Sequence, residues 1–248
     1  MRVGIGIAIV YLFGFWFGPP LMILYTTRWE AKAFPYINVT PQPLKDYSIS
    51  TAPGKVISYL GYEFTVPWNT NFKEVAPAGN SFVALKFESG TSMIFQVATD
   101  QDGLLTELAK DPKLNMKYLQ DDFPDLLKRS AYDQFAALYS VTPASIHAFG
   151  PRAESARGRT LLALKSIAAP AGLESGMFKF QFPDVHGFQI GDPRKTNRTT
   201  LDIFDINGHN IEIRLFTKDT NRLSQPDLNL VLSTLHPAQP TPAARMAH

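Results

Sequence analysis

The residues best suited to chemistry are a carboxylate and an imidazole two positions apart, Asp184 and His186, in the sequence Phe-Pro-Asp-Val-His. In a strand, residues two positions apart point to the same face of the sheet. Asp184 could therefore orient the ring of His186 for acid–base catalysis or share a metal ion with it. The other central histidines, His147 and His209, belong to no H-E-x-x-H motif. The simpler interpretation of this segment is a polar turn between two strands.

Basic residues form the second candidate site, in two short clusters. They are Arg152, Arg157, Arg159, Arg194, Lys195 and Arg198. If the fold brings the clusters together, they form an anion site for a phosphate, a lipid headgroup or an acidic partner. The alternative is a pair of solvated loops.

Most other chemistries lack their residues. The chain has no cysteine, which excludes disulfides, thiolate zinc sites and thiol nucleophiles. It contains no P-loop, no G-x-G-x-x-G and no G-x-S-x-G motif. Residues 100–103 and 205–208 resemble the start of a calcium loop, but neither continues to the glutamate that such a loop needs. The formal charge of +2 is too small to predict a nucleic-acid partner. No cofactor and no metal site are predicted.

The elements that must position these residues begin with strands. Tyr62–Val66 alternates in polarity and ends at Pro67. Residues 82–87 and 93–98 flank a glycine-containing turn, which predicts a hairpin. Later strands are predicted at 161–167, 177–182 and 201–206, after a loop at 150–159. Asn207-Gly208 then predicts a type I′ turn into a strand over 210–216.

Helices are predicted between the two groups of strands and at the end of the domain. Asp111 before Pro112 predicts a helix start, and Pro124 must interrupt the helical spacing that follows. Ser130 with Asp133 resembles a capping box, and Ser224 begins a last helix that runs to about residue 235. Strands, then helices, then strands and a final helix predict an α+β fold, with an antiparallel sheet packed against helices.

The N-terminus predicts a membrane segment, because residues 3–27 contain no charge. A helix of about 25 residues is about 37 Å long, enough to cross the hydrocarbon core. We interpret it as an uncleaved signal anchor with the domain outside the cytoplasm; the alternative is a signal peptide cleaved after Ala31-Lys32-Ala33. The predicted organisation is an anchor at 1–27, an extended linker at 28–54, a single α+β domain at 55–236 and a disordered tail at 237–248. Gly14 and Gly18 have the G-x-x-x-G spacing that could support a homodimer through the span.

The segment Gly61-Tyr62-Glu63-Phe64-Thr65-Val66-Pro67-Trp68 resembles the first strand of Mog1/PsbP-like domains. The resemblance extends to the order of elements over about residues 56–235, with an early hairpin, a helix, further antiparallel strands and a closing helix. Many members of that family are adaptors and accessory proteins without a catalytic site. The resemblance therefore implies a binding or structural role and supplies no site residues.

The sequence thus predicts a single-pass membrane protein with an extracytoplasmic domain that binds a protein partner or an envelope ligand and has no enzymatic activity. The absence of chemical motifs and the N-terminal segment are the basis of this prediction. The alternative is a membrane-tethered hydrolase or metal-dependent enzyme that uses His186 and nearby carboxylates.

Overall fold

The computed structural model describes residues 22, 25–29, 31–68, 72–76, 81–98, 105–106, 118–146, 152–168, 172–218 and 223–238. The strands are β1 (Gln42–Pro43), β2 (Lys55–Tyr59), β3 (Tyr62–Val66), β4 (Phe72–Ala76), β5 (Phe82–Phe87), β6 (Thr91–Val97), β7 (Met177–Gln181), β8 (Val185–Ile190), β9 (Arg198–Asp205), β10 (Asn210–Thr217) and β11 (His236–Pro237). The helices are α1 (Tyr118–Asp122), α2 (Ala131–Ser140), α3 (Arg152–Ala168) and α4 (Gln225–Thr234), with short 3-10 turns at Pro35–Asn38, Pro143–Ser145 and Leu173–Ser175.

The strands form two sheets. The larger has the order β1-β7-β8-β9-β10-β6-β5-β4, and the smaller has the order β11-β3-β2. All pairings between described strands are antiparallel except that of β1 with β7, where Gln42 lies opposite Phe178. The predicted α+β class with an antiparallel sheet is therefore confirmed.

The larger sheet is covered by apolar side chains on both faces. On one face, Leu201 and Ile203 of β9 belong to the core that includes the small sheet and α4. On the other face, Phe204 and its neighbour Phe188 belong to the core that includes α1, α2 and α3. Because adjacent residues of a strand point to opposite faces, β9 is buried along nearly its whole length.

Several predicted elements are confirmed. Strands β3 and β5, the β5–β6 hairpin and the strands β7, β9 and β10 lie where the patterns indicated. The hydroxyl of Ser130 accepts a hydrogen bond from the backbone N–H of Asp133, 3.1 Å away, at the start of α2. The hydroxyl of Ser224 does the same for Asp227 at the start of α4. Helix α1 ends before Pro124, whereas the predicted start at Asp111 lies outside the described residues.

Two predictions around residue 160 are wrong. The sequence patterns predicted a loop at 150–159 and a strand at 161–167, whereas residues 152–168 form one helix, α3. The apolar run Leu161 to Leu164 fits either structure, because a short run does not distinguish the two periods. Leu162 and Lys165 are both buried and lie three positions apart, which is the spacing of one helix face. The run of alanine, leucine and arginine residues also favours a helix.

The β9–β10 turn is also not the predicted type I′ turn. Of the residues at its tip, Gly208 alone has a positive φ, 82°, whereas a type I′ turn needs two such residues. The N–H of Gly208 donates to the carbonyl of Asp205 at 3.0 Å, and the N–H of Asp205 donates to the carbonyl of His209 at 3.2 Å. This is the three-residue loop in which a left-handed glycine follows a type I turn.

The segment predicted to be an extended linker packs on the domain over much of its length. Ile37 is buried with Val141, Ile146 and Leu162, and Leu44 enters the main core. None of the helices in the described part of the chain is long and apolar enough to cross a membrane. The predicted span at 3–27 is mostly outside that part, which includes only Met22 and residues 25–27 of it. Gly14 and Gly18 are also outside it.

A buried lysine joins residues 28–54, which we call the N-terminal segment, to the helices. The side chain of Lys165 on α3 is fully buried. Its ammonium donates to the carbonyls of Val39 at 2.6 Å, Tyr139 at 2.9 Å and Val141 at 2.9 Å. Burial lowers the pKa of Lys165 to about 8, so the amine still carries its third proton at neutral pH. All three N–H donors are used, which is the condition for burying such a group at low cost.

We expect Lys165→Met to lower the free energy of unfolding by about 2–4 kcal/mol, because three buried carbonyls lose their donor. The measurement is thermal and urea unfolding followed by circular dichroism. The matched control is Lys128→Met at an exposed lysine, for which the change should stay within about 0.5 kcal/mol. Equal stabilities for the two variants would show that Lys165 does not hold these segments together.

A second buried polar pair lies between α2 and the large sheet. The hydroxyl of Tyr139 donates to Oδ2 of Asp202 at 2.6 Å, and both side chains are buried. Burial raises the pKa of Asp202 to about 7, although the hydrogen bond from Tyr139 acts in the opposite direction. The neighbouring Glu212 raises this pKa further.

Asp202 should make the protein less stable as the pH rises. Its pKa is about 3.9 in an unfolded chain, so between about pH 4 and pH 7 the folded state holds a proton that the unfolded state has lost. The stability from protonated Asp202 is complete below about pH 4 and is lost as the pH rises through 7. We expect Asp202→Asn, which still accepts from Tyr139, to remove this slope and to gain stability at pH 7. Urea unfolding at several pH values checks this, with exposed Asp184→Asn as the control; an unchanged slope would contradict it.

Candidate functional site

A cleft lies at the β1–β7 edge of the large sheet. We call it the edge cleft; its volume is about 730 Å³. Its lining comprises Gln42, Pro43, Leu44, Lys45, Asp46, Phe178, Asp192, Pro193, Arg194, Leu223, Ser224, Gln225 and Pro226. These residues come from the N-terminal segment, β7, the loop after β8 and the start of α4.

The loop after β8 presents an arginine in a fixed position. Nε and Nη2 of Arg194 donate to the two oxygens of Asp192 at 3.0 and 2.9 Å. The N–H groups of Lys195 and Thr196 donate to the carbonyl of Asp192, and its own N–H donates to the hydroxyl of Ser175. Two of the five N–H donors of a guanidinium are thus held by Asp192, which orients the other three.

The tight backbone of this loop requires glycine. Gly191 has a φ of 102°, and a Cβ there would lie 2.5 Å from the carbonyl oxygen of Arg198. Any larger residue would therefore displace either the loop or the start of β9. The backbone conformation at Gly191 therefore helps to determine where the loop holds Arg194.

The electrostatics of the loop keep Asp192 charged. Burial alone would raise the pKa of Asp192, but the hydrogen bonds from the side chain and backbone of Arg194 and the charges of Arg194 and Lys195 lower it overall. Nζ of Lys195 lies 3.8 Å from Oδ2 of Asp192. The side chain of Arg194 is 79% exposed, whereas that of Asp192 is 3% exposed. One buried carboxylate therefore supports two exposed cations, Arg194 and Lys195, and the exposed Asp46 lies close enough for its charge to act on Arg194.

A ladder of side-chain amides lies next to the cleft, with Gln225 in its lining. Gln189 of β8 and Gln225 of α4 exchange two hydrogen bonds of 2.8 Å. Gln225 also donates to Oδ1 of Asn229, which donates in turn to the carbonyls of Asp46 and Ser48. The ladder joins the sheet, α4 and the N-terminal segment, so the walls of the cleft keep their separation.

The edge cleft therefore combines an apolar base with a cation at its rim. Leu44 and Leu223 are buried, and Phe178 is half-buried. Pro193 and Pro226 add further apolar surface that cannot rearrange easily. Such an arrangement suits a small molecule with an apolar body and an oxyanion, because the guanidinium is matched to planar oxyanions.

A second cleft, of about 460 Å³, brings the two predicted catalytic residues together. We call it the histidine cleft; Asp184 and His186 both line it, together with Ser130, Tyr132 and Asp205. Asp184 precedes β8 and His186 is its second residue, so the first expectation of a shared strand is not met. The two side chains nevertheless open into the same space.

The surroundings of His186 are mainly aromatic. Its ring meets that of Tyr132 edge-on at 4.6 Å between centroids, and Tyr132 stacks on Phe188 at 5.3 Å. Burial, and then the charge of Lys179, lower the pKa of His186, so the imidazole is neutral at pH 7. A neutral ring packed against aromatic rings is typical of a structural histidine.

The carboxylate of Asp205 also lines the histidine cleft, and it already accepts several hydrogen bonds. Asp205 accepts hydrogen bonds from the N–H of Asn207, the N–H of His209 and the hydroxyl of Tyr62. Its Oδ2 also lies 2.9 Å from Nδ1 of His209. Burial would raise the pKa of Asp205, but these hydrogen bonds lower it. The carboxylate is committed to the β9–β10 turn.

The two basic clusters differ in location. Arg194 lines the edge cleft, whereas Arg157 and Arg159 lie on α3, and neither of them lines it. Arg198 is exposed at the start of β9, and the backbone of Arg152 begins α3. His147 lies outside the described residues. Within those residues no three His, Asp or Glu side chains are grouped closely enough to hold a metal ion.

Sequence reasoning missed the residues that organise both sites. Gly191-Asp192-Pro193 is a turn signal that could have identified Asp192 as the support of Arg194. Asp205 could also have been identified, because aspartate is favoured at the first position of a type I turn. No local signal indicates that Gln189, Gln225 and Asn229 meet, because they come from distant parts of the chain.

The chain matches no protein-family model, and no curated protein shows significant similarity to it. Its function is therefore inferred from the two clefts and the uncharged residues 3–27.

Proposed function

We propose that the protein is a single-pass, membrane-anchored binding module without enzymatic activity, whose domain lies outside the cytoplasm and binds an envelope ligand in the edge cleft. The observation that carries the proposal is the apolar cleft with the fixed guanidinium of Arg194 at its rim. The Mog1/PsbP-like order of elements and the uncharged residues 3–27 support it.

The ligand is a small molecule with an apolar body and one planar oxyanion, such as a carboxylate. The volume of the edge cleft lies within the range of about 300–1,000 Å³ that is usual for such sites. Leu44, Phe178 and Leu223 would contact the apolar body, and the free edge of Arg194 would bind the oxyanion. The exposed Lys45 adds a second cation to the same space, and the exposed Asp46 adds an anion beside it.

The test uses a matched pair of probes, 4-phenylbutyrate and its neutral analogue 4-phenylbutanamide, with the full chain in lipid nanodiscs. We expect the carboxylate to bind more tightly than the amide, as measured by calorimetry. Arg194→Gln should weaken the carboxylate about tenfold, because it removes a charge-assisted hydrogen bond, and should leave the amide unchanged. Arg157→Gln is the matched control on α3 and should change neither affinity.

Two results would contradict this assignment. Equal binding of the acid and the amide would remove the oxyanion from the proposal. An equal loss in Arg194→Gln and Arg157→Gln would show a general effect of charge and not a site in the edge cleft.

The anchor and its orientation have a separate test. We expect the full-length protein to stay in the membrane fraction after high-salt and carbonate washes, with an intact mass that includes residue 1. Protease added outside the cytoplasmic membrane should digest residues 28–248. Recovery of a soluble chain that begins near Phe34 would show cleavage, and protection of the domain would reverse the orientation.

A further inference from the structure

The N-terminal helical residues expose an apolar stripe. Residues 25–29 and 31–33 are helical. Met22, Tyr25 and Trp29 are 70%, 74% and 60% exposed, and their spacing of three and four positions places them on one face. Thr27, which points away from this stripe, is 3% exposed. Large apolar side chains are thus presented outward while a small polar one is buried.

This helical segment is attached to the domain and does not hang from a free tether. The side-chain amide of Asn38 donates to the carbonyl of Ala31 at 3.3 Å and to that of Pro35 at 3.2 Å. Tyr36, two residues before Asn38, packs with the buried Ile37 against α3 and the end of α2. The carbonyl of Val39 accepts from Lys165. A chain of contacts therefore runs from the helical residues to the centre of the domain.

Two cations border the stripe. Arg28 and Lys32 are both exposed and lie four positions apart, on either side of Trp29 in the sequence. Lysine and arginine at such positions keep their charged ends at the level of lipid phosphates while their stems contact apolar surface. Tryptophan and tyrosine are the side chains that favour the same level of a bilayer.

We propose that Met22, Tyr25 and Trp29 form a membrane-contact surface that seats the domain on the bilayer in one orientation. This inference rests on the proposed anchor, because the uncharged run of residues 3–21 leads directly into the stripe. Lipid would cover the face with the stripe, whereas Thr27 on the other face is buried within the protein. The occupant is the bilayer and not a second copy, since the chain next to the stripe is apolar and the cations follow immediately after it.

The experiment uses the full chain in phosphatidylcholine and phosphatidylglycerol vesicles and the fluorescence of Trp29. The protein has three tryptophans, Trp16, Trp29 and Trp68. Trp16→Phe is compared with the double variant Trp16→Phe, Trp29→Phe, so the difference between the two emissions is that of Trp29. Trp68 is buried and stays unchanged in both, which protects the fold. The two quenchers are lipids brominated near the headgroup and aqueous iodide.

We expect the Trp29 emission to fall by at least half with the brominated lipids and to be little affected by iodide. If the protein floats with the vesicles but iodide quenches Trp29, the seating is wrong and the anchor stands. Protection from both quenchers that disappears at low protein-to-lipid ratio would show that a second copy covers the stripe, which also overturns the inference. A protein that does not float with the vesicles would overturn the anchor itself.

Discussion

The burial of one ammonium group constrains much of this structure. A lysine can be fully buried only if each of its three N–H groups finds an acceptor, and the acceptors of Lys165 are carbonyls from the N-terminal segment, the end of α2 and the residue that follows it. Their positions are therefore fixed relative to α3 at the same time. Because the N-terminal segment continues into β1 and Lys45, the geometry of the edge cleft depends on this contact. The helical residues 25–29 and 31–33 depend on it as well, since they join the same segment.

The two clefts lie at opposite ends of β8 and differ in how their polar groups are used. At one end, Asp192 is buried and occupied, but it leaves the edge of a guanidinium available. At the other end, Asp205 is also occupied, and the groups that it holds serve the turn. His186 is surrounded by rings. A preorganised but unsaturated donor is what a binding site requires, which is why the edge cleft has the stronger case.

The sequence correctly predicted the ends of helices that are set by residues at those ends. Ser130, Ser224 and Pro124 set the ends of helices through their own side chains or ring, and they were located correctly. The strand at 161–167 failed because four consecutive apolar residues carry no period. The turn at Asn207-Gly208 failed because Asp205 stabilises a type I geometry through hydrogen bonds that the dipeptide does not show. Asp184 and His186 were placed near each other, but the rings of Tyr132 and Phe204 around them come from other elements.

The parallel contact of β1 with β7 has a consequence for synthesis. The carbonyl of Val39 and the ammonium of Lys165 are 126 positions apart in the chain. Strand β1 pairs with β7, which is synthesised later still. Since contacts of such separation form late, the N-terminal segment must remain undocked while most of the chain leaves the ribosome. The edge cleft then closes only when α4, near the end of the chain, supplies Ser224 to Pro226. The edge cleft, and with it the ligand binding that we propose, thus needs both ends of the polypeptide. A nascent or truncated chain would carry the loop with Arg194 but no cleft beside it.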